Sequence, residues 1–184
     1  MRRDEESFTQ FAAASHDRLR RTAYLMCGDW DRAADHVQEG LVRVYVAWPR
    51  LSRQGAELAY ARKAVVSAFL DSRRRRSSTE VPVSEHPEGA GAHEDPTHHL
   101  ADRDALMRAL AQLPERQRAC VVLRFFDDLD VHQTAVAMGC SEGTVKSTTS
   151  RALAGLRSIF EKAARDELVD SIPRDERSLP WVTT

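Results

Sequence analysis

Cysteine and long apolar runs are both scarce in this sequence. The three cysteines, Cys27, Cys120 and Cys140, lie far apart and form no Cys-x-x-Cys pair. This spacing argues against a disulfide framework and a thiolate zinc site, so we expect three small, buried, apolar side chains. No apolar run approaches the roughly 20 residues that span a bilayer, and the charged start, residues 1–10, lacks the apolar core of a signal peptide. These absences predict a cytoplasmic protein with no membrane segment.

The patterns that mark an enzyme are also missing. No Ser/His/Asp arrangement, pair of catalytic carboxylates or phosphate-binding glycine loop can be placed in the sequence. Four of the seven histidines lie within residues 77–103, a Pro- and Gly-rich stretch, where ligands would lack the fixed geometry of a metal site. We therefore predict neither catalysis nor a metal or other cofactor, and a metal-dependent hydrolase is the least favoured functional class.

Charge is unevenly distributed along the chain, although the formal net charge is only −1. Residues 1–76 hold 15 Lys/Arg against 10 Asp/Glu, whereas residues 77–103 hold one against six. Residues 104–163 are nearly balanced at eight against seven. A polyanion should therefore meet the first segment most readily, and meet the others through local patches.

Apolar periodicity divides the chain into two helical units. Residues 1–76 and 104–163 repeat their apolar residues at helical spacing, with little strand-like alternation, which predicts an all-α fold of two small domains. Between them, residues 77–103 form a predicted flexible acidic linker. Residues 164–184 lack a convincing core face, so we expect a loosely ordered C-terminal tail.

The first domain is predicted to contain three helices. The first ends at Gly28, the second begins at Asp29 or Asp31, and Pro49 stops it. At about 100 degrees per residue, the outer face of the second helix carries Asp35, Gln38, Glu39 and Val42. The same arithmetic exposes the cations of the third helix, which are Arg62, Lys63, Arg73, Arg74, Arg75 and Arg76. Pattern alone leaves open whether these faces bind a partner or are only solvated.

The second domain carries a predicted helix-turn-helix. Asp130 with Gln133 resembles a capping box, Gly139 suits a left-handed helix end, and Ser141 caps the next helix. On that last helix we predict an inward stripe of Val145, Thr149, Ala152, Leu153, Leu156 and Phe160. Its opposite face is small, polar and cationic, which suits entry into a DNA major groove. The alternative is an ordinary helical hairpin with a solvated face.

Both halves resemble the sigma factors of bacterial RNA polymerase, specifically the extracytoplasmic-function (ECF) group and its actinobacterial SigE-like type. Residues 35–39 are similar to the D-x-x-Q-E signature of that family, and residues 59–76 to its minus-ten helix. Residues 113–147 are similar to the fourth conserved region, which recognises the minus-thirty-five element. The resemblance implies a sigma2-like first domain and a sigma4-like second domain.

The resemblance also assigns residues to partners. The β′ clamp helices of core polymerase would bind Asp35, Gln38, Glu39 and Val42. The loop at residues 49–57 would capture a flipped base, and minus-ten DNA would meet Arg50, Arg53, Tyr60, Arg62, Lys63, Ser67, Arg73, Arg74, Arg75 and Arg76. The minus-thirty-five element would meet Ser141, Gly143, Thr144, Lys146, Ser147, Ser150 and Arg151. Three residues depart from the family pattern: Ser67 and Ser72 replace an Asn and an aromatic residue, and His36 an aliphatic one.

The implied function is promoter-specific initiation together with core polymerase, which would contact the chain through its β′ clamp helices and β flap. Promoter DNA is the second implied partner, and an anti-sigma factor is a further candidate. The alternative is a helix-turn-helix repressor or a response-regulator output protein that acts without core polymerase, because the second half alone would look similar. Such a repressor would bind its operator unaided.

Overall fold

A computed structural model describes residues 5–51, 55–77 and 97–171, with side chains from residue 5 to 51, 55 to 72 and 103 to 166. Within these ranges the chain contains helices and no strand, which confirms the all-α prediction. The helices, in chain order, are α1 (Glu5–Cys27), α2 (Trp30–Ala47), α3 (Ala56–Ser77), α4 (Thr97–Gln112), α5 (Glu115–Val121), α6 (Val131–Met138) and α7 (Glu142–Ser171). A 3₁₀ turn (Trp48–Arg50) follows α2, and a π-helical turn (Val122–Phe126) follows α5. No helix in the described ranges is long and apolar enough to span a membrane.

The first domain consists of α1, α2 and α3. Gly28 ends α1 with a φ of 76°, a left-handed conformation that glycine adopts without steric cost. The Asp29 side chain then caps α2 by accepting hydrogen bonds from the backbone N–H groups of Asp31 and Arg32, at 2.8 and 2.9 Å. The two helices therefore meet at a tight, locally specified corner.

α2 and α3 lie unusually close together at Gly40. A Cβ atom built on Gly40 would lie 2.6 Å from a side-chain carbon of Val65 and 3.1 Å from its backbone nitrogen. Glycine is required here because the backbone of α3 occupies the space that a side chain would need. The domain core around this contact consists of Leu19, Ala23, Met26, Ala33, Val37, Val44, Trp48, Ala61, Val65, Val66 and Phe69.

The second domain consists of α4 to α7. The Asp130 side chain accepts from the Gln133 backbone N–H at 2.7 Å, and the Gln133 side chain accepts from the Asp130 backbone N–H at 3.0 Å. Gly139 ends α6 with a φ of 61°. These contacts confirm the predicted capping box, left-handed helix end and helix-turn-helix.

The predicted inward stripe of α7 is wrong at two residues. Val145, Thr148 and Ala152 are buried, whereas Leu153 and Phe160 remain 42% and 44% exposed. A step of one residue rotates a helix by about 100 degrees, so Leu153 cannot share the face of Ala152. The stripe therefore follows Val145, Thr148 and Ala152 towards the partly buried Leu156 and Ile159.

Helices extend into both segments predicted to be irregular. α3 reaches Ser77 and α4 begins at Thr97, so the two ends of the predicted linker 77–103 are helical, and residues 78–96 lie outside the described residues. In the predicted tail 164–184, residues up to Ser171 are helical rather than loosely ordered. No glycine or proline interrupts this stretch before Pro173.

The two domains pack against each other. α1 contacts α4, α5 and the π-helical turn, and α3 contacts α5 and α6. We call this packing the closed arrangement.

Candidate functional site

The outer side of α2 presents the residues that the sequence predicted. Asp35, Gln38 and Val42 are exposed, Val42 by 62%, and Glu39 is about one-third exposed. Arg43 donates a hydrogen bond to the Glu39 carboxylate at 2.6 Å, which fixes that side chain along the helix. The four predicted residues thus share one side of α2.

Sequence reasoning missed two apolar residues on this helix. Tyr45 and Val46 are 51% and 69% exposed, three and four residues beyond Val42. The i, i+3 and i+4 spacing from Val42 was a signal that could have identified them. We call Asp35, Gln38, Glu39, Val42, Tyr45 and Val46 together the α2 outer surface.

His36 lies on the opposite side of the same helix. It is 5% exposed, and its ring contacts the ring of Phe69 edge to face, with centroids 5.9 Å apart. The histidine that departs from the family pattern is therefore part of the packing between α2 and α3.

The closed arrangement covers part of the predicted basic face of α3 and leaves the rest exposed. Tyr60 and Lys63 are exposed, Ser67 is half-buried, and Arg50 is exposed on the 3₁₀ turn. Arg53 lies outside the described residues. α3 also contains the predicted arginines Arg73, Arg74, Arg75 and Arg76, whose side chains lie outside those that the structure describes.

The prediction that Arg62 is exposed is wrong. Its side chain is 11% exposed, and its Nε donates to Oδ2 of Asp127 in the second domain at 3.2 Å. Burial lowers the pKa of the Arg62 guanidinium from its usual value, and the Asp127 carboxylate acts in the opposite direction. Helical periodicity describes packing within the first domain, so it could not reveal the cover that the second domain supplies.

The helix-turn-helix presents its predicted residues on one exposed side. The Ser141 hydroxyl oxygen accepts from the Thr144 backbone N–H at 3.2 Å and lies 2.9 Å from the Thr144 hydroxyl, so it caps α7. Arg151 donates to the Ser147 hydroxyl oxygen at a long 3.4 Å. The exposed set is Ser141, Gly143, Thr144, Lys146, Ser147, Ser150 and Arg151. The structure thus leaves all seven residues exposed. Ser141, Gly143 and Thr144 lie at the N-terminus of α7, where peptide dipoles favour a phosphate, and the other four follow along the helix.

The cysteines serve packing. Cys120 is buried, whereas Cys27 and Cys140 are only half-buried, so the expectation of three buried cysteines holds fully for Cys120 alone. Burial raises the pKa of the Cys27 and Cys120 thiols. Cys120 lies 3.2 Å from the Thr149 hydroxyl and so joins α5 to α7. In the part of the chain that the structure describes, no His, Cys, Asp and Glu cluster could hold a metal ion.

Comparison with known proteins gives consistent matches along the chain. The family model of sigma-70 region 2 matches residues 11–79, and that of sigma-70 region 4 matches residues 103–156. The RNA polymerase sigma-E factor of Streptomyces coelicolor is 36% identical over 170 residues, 92% of this chain and 94% of the relative. The ECF RNA polymerase sigma factor SigM of Mycobacterium tuberculosis is 30% identical over 154 residues, 83% of this chain and 76% of the relative.

A solved structure also shares the fold. The sigma factor RpoE of Bartonella quintana, co-crystallised with the anti-sigma factor NepR, superposes with a TM-score of 0.65 at 22% identity. The superposition covers 85% of this chain and 98% of that one.

Proposed function

The chain belongs to the sigma-70 family of RNA polymerase sigma factors, in the ECF group, a class of non-catalytic regulatory proteins. From this premise we propose that it binds core RNA polymerase and directs promoter-specific initiation, recognising a minus-ten and a minus-thirty-five element and helping to melt the DNA. One observation carries the proposal. A single chain combines the exposed α2 outer surface with an exposed, hydroxyl-rich and cationic face on α7.

The α2 outer surface is the proposed binding site for the β′ clamp helices of core polymerase. Val42, Tyr45 and Val46 supply exposed apolar area, and Asp35 and Gln38 supply polar groups beside it. An apolar centre with a polar rim is the usual composition of a protein interface. The negative charge at Asp35 and Glu39 would select a cationic partner surface.

The exposed face of α7 is the proposed reader of the minus-thirty-five element. Gly143, Ser147 and Ser150 are small enough to let the helix backbone approach the floor of a major groove. Lys146 and Arg151 are long enough to reach base edges or phosphates, and the Ser141 cap fixes where the helix begins.

The minus-ten element is assigned to α3 and the 3₁₀ turn before it. Melting requires a protein that traps a displaced base and holds the exposed strand with cations and stacking groups. Tyr60 is an exposed aromatic ring, and Arg50 and Lys63 are exposed cations near it in sequence. We assign Arg53, Arg62, Ser67 and the arginine run Arg73, Arg74, Arg75 and Arg76 to the same task.

Two further partners complete the proposal. The β flap of core polymerase would bind the second domain, and an anti-sigma factor would hold the protein inactive. The relative RpoE was crystallised with the anti-sigma factor NepR, which supports a partner of that class here.

Run-off transcription from a randomised promoter library tests the function. We expect the chain mixed with an actinobacterial core polymerase to select promoters with two conserved elements, and the core alone to select none. The same library is also used for DNA capture without polymerase. Selection of one operator by the chain alone, with no core-dependent transcripts, would show that it is a helix-turn-helix repressor instead.

A further inference from the structure

The carboxylate of Asp127 joins the second domain to two helices of the first. The Thr22 hydroxyl of α1 donates to Oδ1 at 2.8 Å, and Arg62 Nε of α3 donates to Oδ2 at 3.2 Å. Arg18 of α1 lies 4.0 Å from Oδ1 and donates to the Asp127 backbone carbonyl at 3.4 Å. We propose that Asp127 is a latch that holds the closed arrangement and withdraws Arg62 from DNA.

The position of Asp127 suits a latch. It lies in the turn between α5 and α6 and is 7% exposed. Its backbone N–H is used within its own domain, donating to the Val122 carbonyl at 3.0 Å, whereas its described side-chain hydrogen bonds cross to the first domain. The side chain therefore adds to the contact between the domains while the backbone keeps the turn folded.

A second polar contact supports the same packing. Arg118 of α5 donates to the Met26 carbonyl at the end of α1 at 2.8 Å, and also to the carbonyls of Ala111 and Leu113 at 2.9 and 3.1 Å. This guanidinium ties the last turn of α1 to the end of α4. The hydrogen-bonded crossings at Asp127 and at Arg118 thus both depend on charged side chains.

An ion pair such as Arg62–Asp127 can be broken at a small cost in free energy when the domains separate. A buried ion pair gains little over an apolar contact of the same size, because its desolvation offsets most of the attraction. The buried apolar residues form one cluster that includes Phe69 in the first domain and Leu110 and Leu123 in the second. Separation of the domains would return the charges of Arg62 and Asp127 to water, and this gain in solvation opposes the loss of their attraction.

The closed arrangement affects the two proposed DNA surfaces unequally. Arg62 is paired, and the neighbouring Lys63 borders an open cleft of about 360 Å³ whose other walls include His132 and Glu142. The face of α7 stays exposed. The consequence for DNA rests on the proposed function: the latch blocks part of the minus-ten surface in the unbound chain, and binding of core polymerase to an open form would release it.

Asp127→Asn in the full-length chain tests the latch without polymerase or DNA. We expect the radius of gyration in small-angle X-ray scattering to rise by roughly a fifth from the value of about 16 Å for a compact chain of this length. In NMR, solvent exchange of the Arg62 Nε–H should be at least tenfold faster. Unchanged scattering together with unchanged exchange overturns the proposal.

Asp128→Asn is the matched control. It removes the same charge at the next position, where the side chain is exposed, and its φ of 54° is one that asparagine tolerates. The control should behave as the wild type in both measurements. Equal opening in both variants would assign the effect to net charge and overturn the latch.

Arg62→Gln separates opening from misfolding. Circular dichroism should show wild-type helicity for Asp127→Asn, Arg62→Gln and the double variant. Because the two side chains act as one pair, the double variant should be no more open than either single variant. Additive opening overturns the proposed pairing, and lost helicity with a compact chain does so as well.

Binding to a mixed-sequence 20-nucleotide single-stranded DNA tests the withdrawal of Arg62. Asp127→Asn should bind at least fivefold more tightly than the wild type, and Arg62→Gln/Asp127→Asn should lose most of that gain. An open variant without a gain in affinity overturns the withdrawal. Normal opening without core-dependent transcription would instead refute the proposed function and leave the latch standing.

Discussion

The helices proposed to bind the two promoter elements, α3 and α7, differ in how many of their sides the protein covers. α7 buries one stripe, Val145, Thr148 and Ala152, and leaves the opposite side exposed. α3 packs on α2 with one side, and on a second side Arg62 is covered by Asp127 of the other domain. If both helices bind DNA as proposed, α7 can meet it directly, whereas Arg62 of α3 must first be freed from Asp127.

Because α3 is more enclosed than α7, truncating a buried side chain of α3 should destabilise the protein much more than truncating an exposed one of α7. Phe69→Ala should lower the free energy of unfolding by about 3–5 kcal/mol, because Phe69 is 1% exposed within the packing of α3. Leu153→Ala, on the open side of α7, should lower it by less than about 1 kcal/mol. Urea unfolding followed by circular dichroism measures both. Similar losses would show that α7 is as enclosed as α3.

Local chemistry explains why most of the fold could be predicted. The backbone N–H groups that Asp29, Asp130 and Ser141 cap lie two or three residues along the chain. Short stretches of sequence are therefore enough to predict these caps. Gly28 and Gly139 both adopt the left-handed conformation expected at helix ends. Helix order and the capped boundaries followed from such signals with no knowledge of tertiary contacts, whereas the start of α4 and the end of α7 were misplaced.

The error at Arg62 concerns a contact between distant parts of the chain. Asp127 and Arg62 are separated by 65 positions, and no periodic pattern links them. A charged residue on a polar helix face is exposed by default, which is why periodicity predicts an exposed Arg62. The exposure of Leu153 was missed because a long helix that buries a narrow stripe leaves apolar residues at its edges.

The α2 outer surface supplies the next test of the contrast, because it lies outside the described interdomain contacts. Asp35→Arg with Glu39→Arg should weaken binding to core polymerase by about tenfold or more, equivalent to about 1.4 kcal/mol, without unfolding the domain. Fluorescence anisotropy with labelled chain measures the affinity. Asp17→Arg, at a side chain 84% exposed on α1, is the charge-reversal control and should bind normally. Unchanged affinity in the double variant would remove α2 from the interface.

The exposed side of α7 should act through Arg151. Arg151→Ala is expected to cost roughly 1–3 kcal/mol and to relax sequence preference at one minus-thirty-five position if the guanidinium contacts a base edge, or to weaken all sequences alike if it contacts a phosphate. Transcription from a set of minus-thirty-five variants separates these results. Lys162→Ala, an exposed cation farther along α7, is the control. Wild-type activity of Arg151→Ala on every variant would contradict DNA contact by this face.

The arginine run at the end of α3 should give the smallest effect per residue, because each cation contributes mainly by releasing counterions. Replacement of Arg73, Arg74, Arg75 and Arg76 by Ala should reduce open-complex formation and flatten its dependence on salt. The log–log slope should fall by about 0.7 for each single-strand phosphate that the variant no longer neutralises. Open-complex lifetimes between 50 and 200 mM salt, roughly the range over which such interactions weaken, provide the slope.

A charge-matched variant decides whether that effect is local. Four exposed cations of the second domain, namely Arg108, Arg116, Lys162 and Arg165, can be replaced by Ala to remove the same charge. If both variants flatten the slope equally, the run contributes only to the overall field of the protein. If the α3 variant alone flattens it, the end of α3 contacts the opened strand, and the helix that the second domain partly covers is the one that must be uncovered for melting.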